Sequence, residues 1–161
     1  MKTLYLVRHA KSSHHVDGLQ DWERPLLDVG IERAGEVSNL LKKRKIYPEK
    51  IISSHAFRAL NTAVIFALNL DYPLNEIEIC HDIYEKGILN ITNLIQNQNG
   101  SISSLMLFGH NPIWMDLYNL LTGEVLDCFS TSTAACIQFD CDNWEQIRRR
   151  KGKTLFIETG K

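Results

Sequence analysis

Imidazole and guanidinium groups follow predicted strands at three separate places in the chain. Arg8 and His9 end the first strand candidate, Arg58 lies on the first turn after the second, and His110 follows the fourth. Open α/β sheets place their ligands outside the carboxyl ends of their strands, so we expect these groups to share one edge. Guanidinium forks bind phosphoryl oxygens, and neutral imidazole is a nucleophile near pH 7. The set therefore predicts a phosphoryl site.

The elements that must position these groups alternate along the chain. Short β-rich runs are separated by longer segments whose apolar residues recur at helical spacing, which favours an α/β fold. Six strands are predicted, over residues 3–9, 50–54, 76–80, 103–109, 134–139 and 154–158. Amphipathic helices are predicted around residues 34–41, 60–68 and 113–121.

The helix that follows the fourth strand has the clearest end signals. Asn111 is predicted as its N-cap and Pro112 as its first residue, and Gly123 follows its last apolar position. His110 is thereby predicted to lie directly before a helix N-terminus.

Composition excludes several functional classes. With 161 residues, 44% of them apolar and 23% charged, the chain is predicted to form one globular domain over residues 1–161. Its formal net charge of -1 gives no overall attraction to nucleic acid or to an anionic membrane. The basic run at residues 148–151 is interpreted as a solvated turn.

Targeting and cysteine patterns add two further expectations. The opening apolar run is too short for a secretory signal, and no later run approaches the length that spans a bilayer, so we expect a cytoplasmic protein. The four cysteines show no CxxC pair and no histidine at metal-ligand spacing, so neither a zinc site nor a disulfide framework is indicated.

Three segments together resemble the histidine phosphatase superfamily: LVRHAKSS, SSHAFRALNTA and FGHNP, in that order. The resemblance is closest to the SixA-type phosphohistidine phosphatases. These have RHA followed by Lys-Ser where phosphoglycerate mutase-like members have RHG, and they carry a D-x-x-R-P-L segment, matched here by residues 21–26. The resemblance extends from residue 3 to about Gly123.

This resemblance implies a fold and a mechanism. The fold is a three-layer α/β/α sandwich with a central, mostly parallel sheet and without a large cap insertion. His9 would attack phosphorus to form a phosphohistidine intermediate, while Arg8, Arg58 and His110 hold the phosphoryl oxygens. No metal or other cofactor is required by this scheme, because the cations supply the electrostatic role that magnesium has elsewhere.

A general acid for the leaving group is harder to place. Glu85 is the candidate, with a solvated surface residue as the equally weighted alternative, and Asp21 is a weaker candidate. RHG-type members often have an asparagine three residues after their Ser or Thr, whereas here the residue three positions after Ser12 is His15. Ser12 and His15 therefore stay outside the predicted core site. A phosphoramidate substrate would need a weaker acid, because imidazole leaves more readily than an alkoxide.

Three functions remain open from the sequence. The first is a phosphatase that acts on phosphohistidine in a protein, because a chain without a large cap leaves its pocket open to a protein loop. The second is a phosphatase or mutase for small phosphate esters, which would need the segment at residues 71–94 to enclose its substrate. The third is a noncatalytic phosphate-binding module.

Overall fold

The computed structural model describes residues 1–160, which form a six-stranded sheet with helices on both faces. Its strands are β1 (Lys2–Arg8), β2 (Lys50–Ser53), β3 (Glu78–Ile79), β4 (Ser104–Gly109), β5 (Ala134–Phe139) and β6 (Lys153–Glu158). The strand order is β3-β2-β4-β1-β5-β6, and among the described strands β5 alone runs antiparallel to the rest of the sheet. The central, mostly parallel sheet is thus confirmed.

The helices divide between the two faces, which confirms the three-layer α/β/α sandwich. They are α1 (Asp28–Lys43), α2 (Phe57–Asn69), α3 (Asp82–Glu85), α4 (Ile88–Gln96) and α5 (Ile113–Thr122). The first two cover one face, and the other three cover the opposite face. Each layer buries its own apolar cluster against the sheet.

The central strand β1 shows why its sequence is apolar without interruption. Leu4 and Leu6 pack into the cluster beneath α4 and α5, whereas Tyr5 and Val7 pack beneath α1 and α2. Successive side chains of a strand point to opposite faces, so a strand covered on both sides must be apolar at every position. The run LYLV therefore places Arg8 and His9 at the end of a fully buried strand.

The predicted third strand and the predicted start of helix α5 both differ in the structure, and several other strand ends are shifted by one residue. The third strand is only Glu78–Ile79, because a short 3-10 turn occupies residues 74–76 and the strand lies exposed at the sheet edge. Helix α5 begins at Ile113, and Pro112 takes the N-cap position that was predicted for Asn111. The Asn111 amide instead donates to the carbonyl of Phe129, 2.8 Å away. The predicted end at Gly123 is confirmed by its left-handed φ of 78°.

The four cysteines are free thiols: Cys136 is buried, Cys80 and Cys141 are half-buried, and Cys128 is exposed. No helix within residues 1–160 combines the length and the apolar character that crossing a membrane requires.

Candidate active site

Strand pairing brings the three predicted cation-bearing ends together. Arg8 pairs with Gly109 in the parallel register of β1 and β4, and the His9 amide donates to the Gly109 carbonyl at 3.0 Å. His110 directly follows β4, and the centroids of the His9 and His110 imidazole rings lie 5.3 Å apart. The second residue of α2 adds Arg58 to the same place.

These side chains line one cavity of about 420 Å³. Five of the described lining residues are Arg or Lys, and none of them is Asp or Glu, so the cavity is built for an anion. Its lining comprises Arg8, His9, Lys11, Ser12, His14, Arg24, Arg33, Arg58, His110, Asn111 and Thr131.

The tautomer of His9 is set by its backbone neighbour. His9 Nδ1 lies 2.7 Å from the carbonyl oxygen of Ala10. A carbonyl can only accept, so Nδ1 carries the hydrogen and the lone pair is on Nε2. The pKa of His9 is lowered to about 4, mainly by burial and to a smaller extent by the charges of Arg58 and Arg8, while the Ala10 bond acts in the opposite direction. His9 is therefore neutral and nucleophilic at Nε2 near pH 7.

His110 is held neutral in the same way. Burial lowers its pKa to about 3, with smaller contributions from His9 and Arg58. Its Nε2 lies 2.8 Å from the hydroxyl oxygen of Ser54, which also accepts a bond from the amide of Ala56 at 3.2 Å. A phosphoryl anion beside it would favour the imidazolium form, because opposite charges stabilise each other.

The two arginines keep free donors in the buried wall. Arg8 Nη1 donates to the Phe129 carbonyl at 3.0 Å, and Arg58 Nη1 donates to the Asp21 carbonyl at 2.9 Å. Within the described chain, the buried Nε groups of both side chains have no hydrogen-bond partner. A buried donor without a partner costs about 1–3 kcal/mol, which an anion in the cavity would recover.

Asp21 orients Arg58 from outside the cavity lining. Its carboxylate accepts from Arg58 Nη2 at 3.1 Å and from the Tyr84 hydroxyl at 2.7 Å, and Arg24 Nε lies 3.0 Å away. The Tyr84 bond, followed by the charges of Arg58 and Arg24, lowers the pKa of this carboxyl. Such a carboxylate stays ionised, which suits a residue that positions Arg58 and does not suit a proton donor.

Glu85 lies at the end of α3, where its side chain is exposed. It is outside the cavity lining, and its carboxylate lies near the imidazoles of His55 and His81. Its role as the acid stays a prediction. His15 is exposed too and pairs with Asp17 at 3.2 Å.

Sequence reasoning did not assign Arg24, Arg33 or Thr131 to the site, and it predicted Asn111 only as a helix cap, yet all four line the cavity. Arg24 is the arginine of the D-x-x-R-P-L segment, but that pattern does not indicate that its side chain enters the cavity. Arg33 reads as one more charged residue on the amphipathic helix α1, and Thr131 lies in an irregular connection. No local signal identifies either residue. Ser12, which was left outside the predicted core site, also lines the cavity, as does His14.

Comparison with known proteins decides the family. The sequence model described as "Histidine phosphatase superfamily (branch 1)" matches residues 4–109. The chain belongs to this superfamily. Over 143 residues it is 27% identical to the phosphohistidine phosphatase SixA of Escherichia coli K12, a match that covers 85% of each chain.

Two further relatives of this histidine phosphatase span most of its length. An uncharacterized chloroplastic protein of Arabidopsis thaliana is 28% identical over 153 residues, which is 90% of this chain and 70% of the relative. The crystal structure of a SixA-type protein from Agrobacterium tumefaciens superposes with a TM-score of 0.82 at 25% identity, covering 98% of this chain and 97% of the other. The family, the fold and these relatives together show a phosphatase of the histidine phosphatase type.

Proposed function

We propose that this histidine phosphatase removes the phosphoryl group from phosphohistidine in a protein, with His9 as the phosphate-accepting nucleophile. The observation that carries the proposal is the Nδ1–H bond from His9 to Ala10, which leaves the Nε2 lone pair in a cavity of cations. A neutral imidazole is ready to attack phosphorus at physiological pH.

The reaction follows as two displacements. His9 Nε2 forms a bond to phosphorus while the phosphorus–nitrogen bond of the substrate breaks, and the released imidazole takes up a proton. Water then attacks the phosphorylated His9, releasing inorganic phosphate and restoring the free imidazole. Charge spreads over the equatorial oxygens during both transfers, and the donors of Arg8, Arg58 and His110 are proposed to bind those oxygens.

The leaving group supports phosphohistidine over an ester. None of the lining residues that the structure describes carries a carboxyl group, Asp21 is kept ionised by its partners, and Glu85 lies outside this lining. An alkoxide would need a strong acid in the cavity, whereas imidazole needs little assistance. Glu85, exposed at the end of α3, remains the proposed proton donor. A cytoplasmic location also stays a prediction.

Phosphate release from three substrates tests this function: a phosphohistidine peptide, p-nitrophenyl phosphate and a sugar phosphate. Each is measured in EDTA with the wild type, with His9→Ala and with His15→Ala as a matched control, since His15 is exposed and outside the cavity lining. We expect the peptide to give the highest kcat/KM, His9→Ala to abolish turnover, and the control to match the wild type.

Other outcomes distinguish the alternatives. A higher kcat/KM for the sugar phosphate would favour the phosphatase or mutase for small esters. If the folded protein turned over none of the three and formed no phosphorylated His9, it would be a noncatalytic phosphate-binding module.

A further inference from the structure

Three side chains outside the described cavity lining form a cluster: His55, His81 and Glu85, of which only Glu85, the proposed proton donor, has a part in the reaction. One ligand atom from each lies within 4.8 Å of those of the other two. His55 belongs to the connection between β2 and α2, and the other two residues lie at the two ends of α3. His81 precedes that helix and Glu85 ends it, an i, i+4 spacing that puts both side chains on one face.

The donor set matches one class of ion. Imidazole nitrogens bind zinc, copper and nickel, whereas calcium and magnesium favour sites built from oxygen alone. Two histidines and one carboxylate are a known zinc ligand set that leaves a fourth position for water. Bonds of about 2.1 Å in tetrahedral geometry place ligand atoms roughly 3.4 Å apart, so ligand atoms that lie as far as 4.8 Å apart must approach by up to about 1.4 Å.

The side chains have the freedom to make that contraction. The His55 and His81 rings are stacked, with centroids 4.2 Å apart and planes 20° apart. Both lone pairs reach one ion only after a ring turns, and the exposed His81 has room to do so. His55 Nδ1 is buried and has no hydrogen-bond partner within residues 1–160.

We propose that His55, His81 and Glu85 bind a divalent transition-metal ion of the zinc class. The site lies next to the phosphoryl cavity without being part of it. The Tyr84 ring contacts His55 at 5.0 Å and His110 at 5.6 Å between centroids. A metal ion here would add positive charge one side chain away from His110, while the attack by His9 needs no metal. Sequence spacing gave no zinc signal, because His55 is remote from the other two ligands along the chain.

Calorimetric titration of zinc into the EDTA-treated and dialysed protein tests the proposal. We expect one ion per chain with micromolar or tighter affinity, and a loss of at least tenfold in both His81→Ala and Glu85→Gln. His15→Ala and Cys128→Ser are the matched controls, because each removes an exposed zinc-binding group elsewhere. Both controls should keep the wild-type affinity, and magnesium should not compete.

A second readout reports the ligands directly and does not depend on phosphatase activity. In ¹⁵N spectra of the imidazoles, zinc should shift the resonances of His55 and His81 while that of His15 stays in place. The proposal is overturned if the wild type binds no zinc, if His81→Ala and Glu85→Gln bind as tightly as the wild type, or if either control abolishes binding. Circular dichroism verifies that each variant is folded.

Discussion

Acidification from pH 7 to pH 5 is predicted to destabilise the fold through its two active-site histidines. Burial depresses the pKa of His9 from the ordinary 6.5 to about 4, and that of His110 to about 3. Between these native pKa values and 6.5, the unfolded chain therefore binds more protons than the native state does. The stability that these neutral imidazoles contribute is complete above pH 6.5 and is lost as the pH falls toward the native values.

The magnitude follows from linkage. A group with a pKa of 6.5 when unfolded and about 4 when native loses about 2 kcal/mol of unfolding free energy between pH 7 and pH 5. His110 gives a similar loss, so the pair gives ~4 kcal/mol at most. Their rings are 5.3 Å apart and repel once protonated, so the double variant measures the joint effect better than a sum.

Urea unfolding at both pH values provides the assay, with His9→Asn, His110→Gln and the double variant. The Asn amide nitrogen can replace Nδ1 as a donor to Ala10, and the Gln amide nitrogen can replace Nε2 beside Ser54. Each single variant should remove about half of the pH-dependent loss, and the double variant should remove most of it.

Other titrating groups do not disturb the comparison. His55 is present in every variant, so its contribution cancels. Asp21, with an ordinary pKa of 3.8 that is lowered further in the fold, is ionised in both states at these pH values. The reasoning is refuted if the double variant loses as much stability between pH 7 and pH 5 as the wild type does.

Three further predictions concern α1 and the cations. A Cβ on Gly30 would lie 2.1 Å from the Lys11 carbonyl oxygen, so Gly30→Ala should lower the free energy of urea unfolding by about 1–3 kcal/mol. A Cβ on Gly35 would meet open space, so Gly35→Ala should raise that free energy by about 0.4–1 kcal/mol. Equal effects of the two substitutions would contradict this packing. Arg58→Lys keeps the charge but loses the planar fork, so kcat/KM should fall by roughly 10²–10³-fold, and an unchanged value would exclude it from phosphoryl binding. Arg33→Gln should raise KM several-fold with kcat retained in steady-state assays, and an equal fall in kcat would assign it to the transition state instead.

The sequence by itself determined the fold class and the proposed nucleophile. Apolar runs such as LYLV are continuous because strands of a parallel sheet are covered on both faces, and this pattern is local. Parallel strands end at the same edge, so the residues directly after them must converge, and His9 and His110 did so. The convergence of His9 and His110 follows from the order of the elements, whereas the role of His9 as nucleophile is what the family resemblance implies.

Only the tertiary structure decided how the site is held and charged. Asp21 meets Arg58 across 37 positions and Tyr84 across 63, contacts for which no local pattern exists. The depressed pKa of His9 arises from burial by several distant segments, and the place of Arg33 in the lining depends on how α1 docks. Local periodicity fixes which face of an element is buried. The packing of elements against one another fixes which polar groups meet, because it depends on all of them at once.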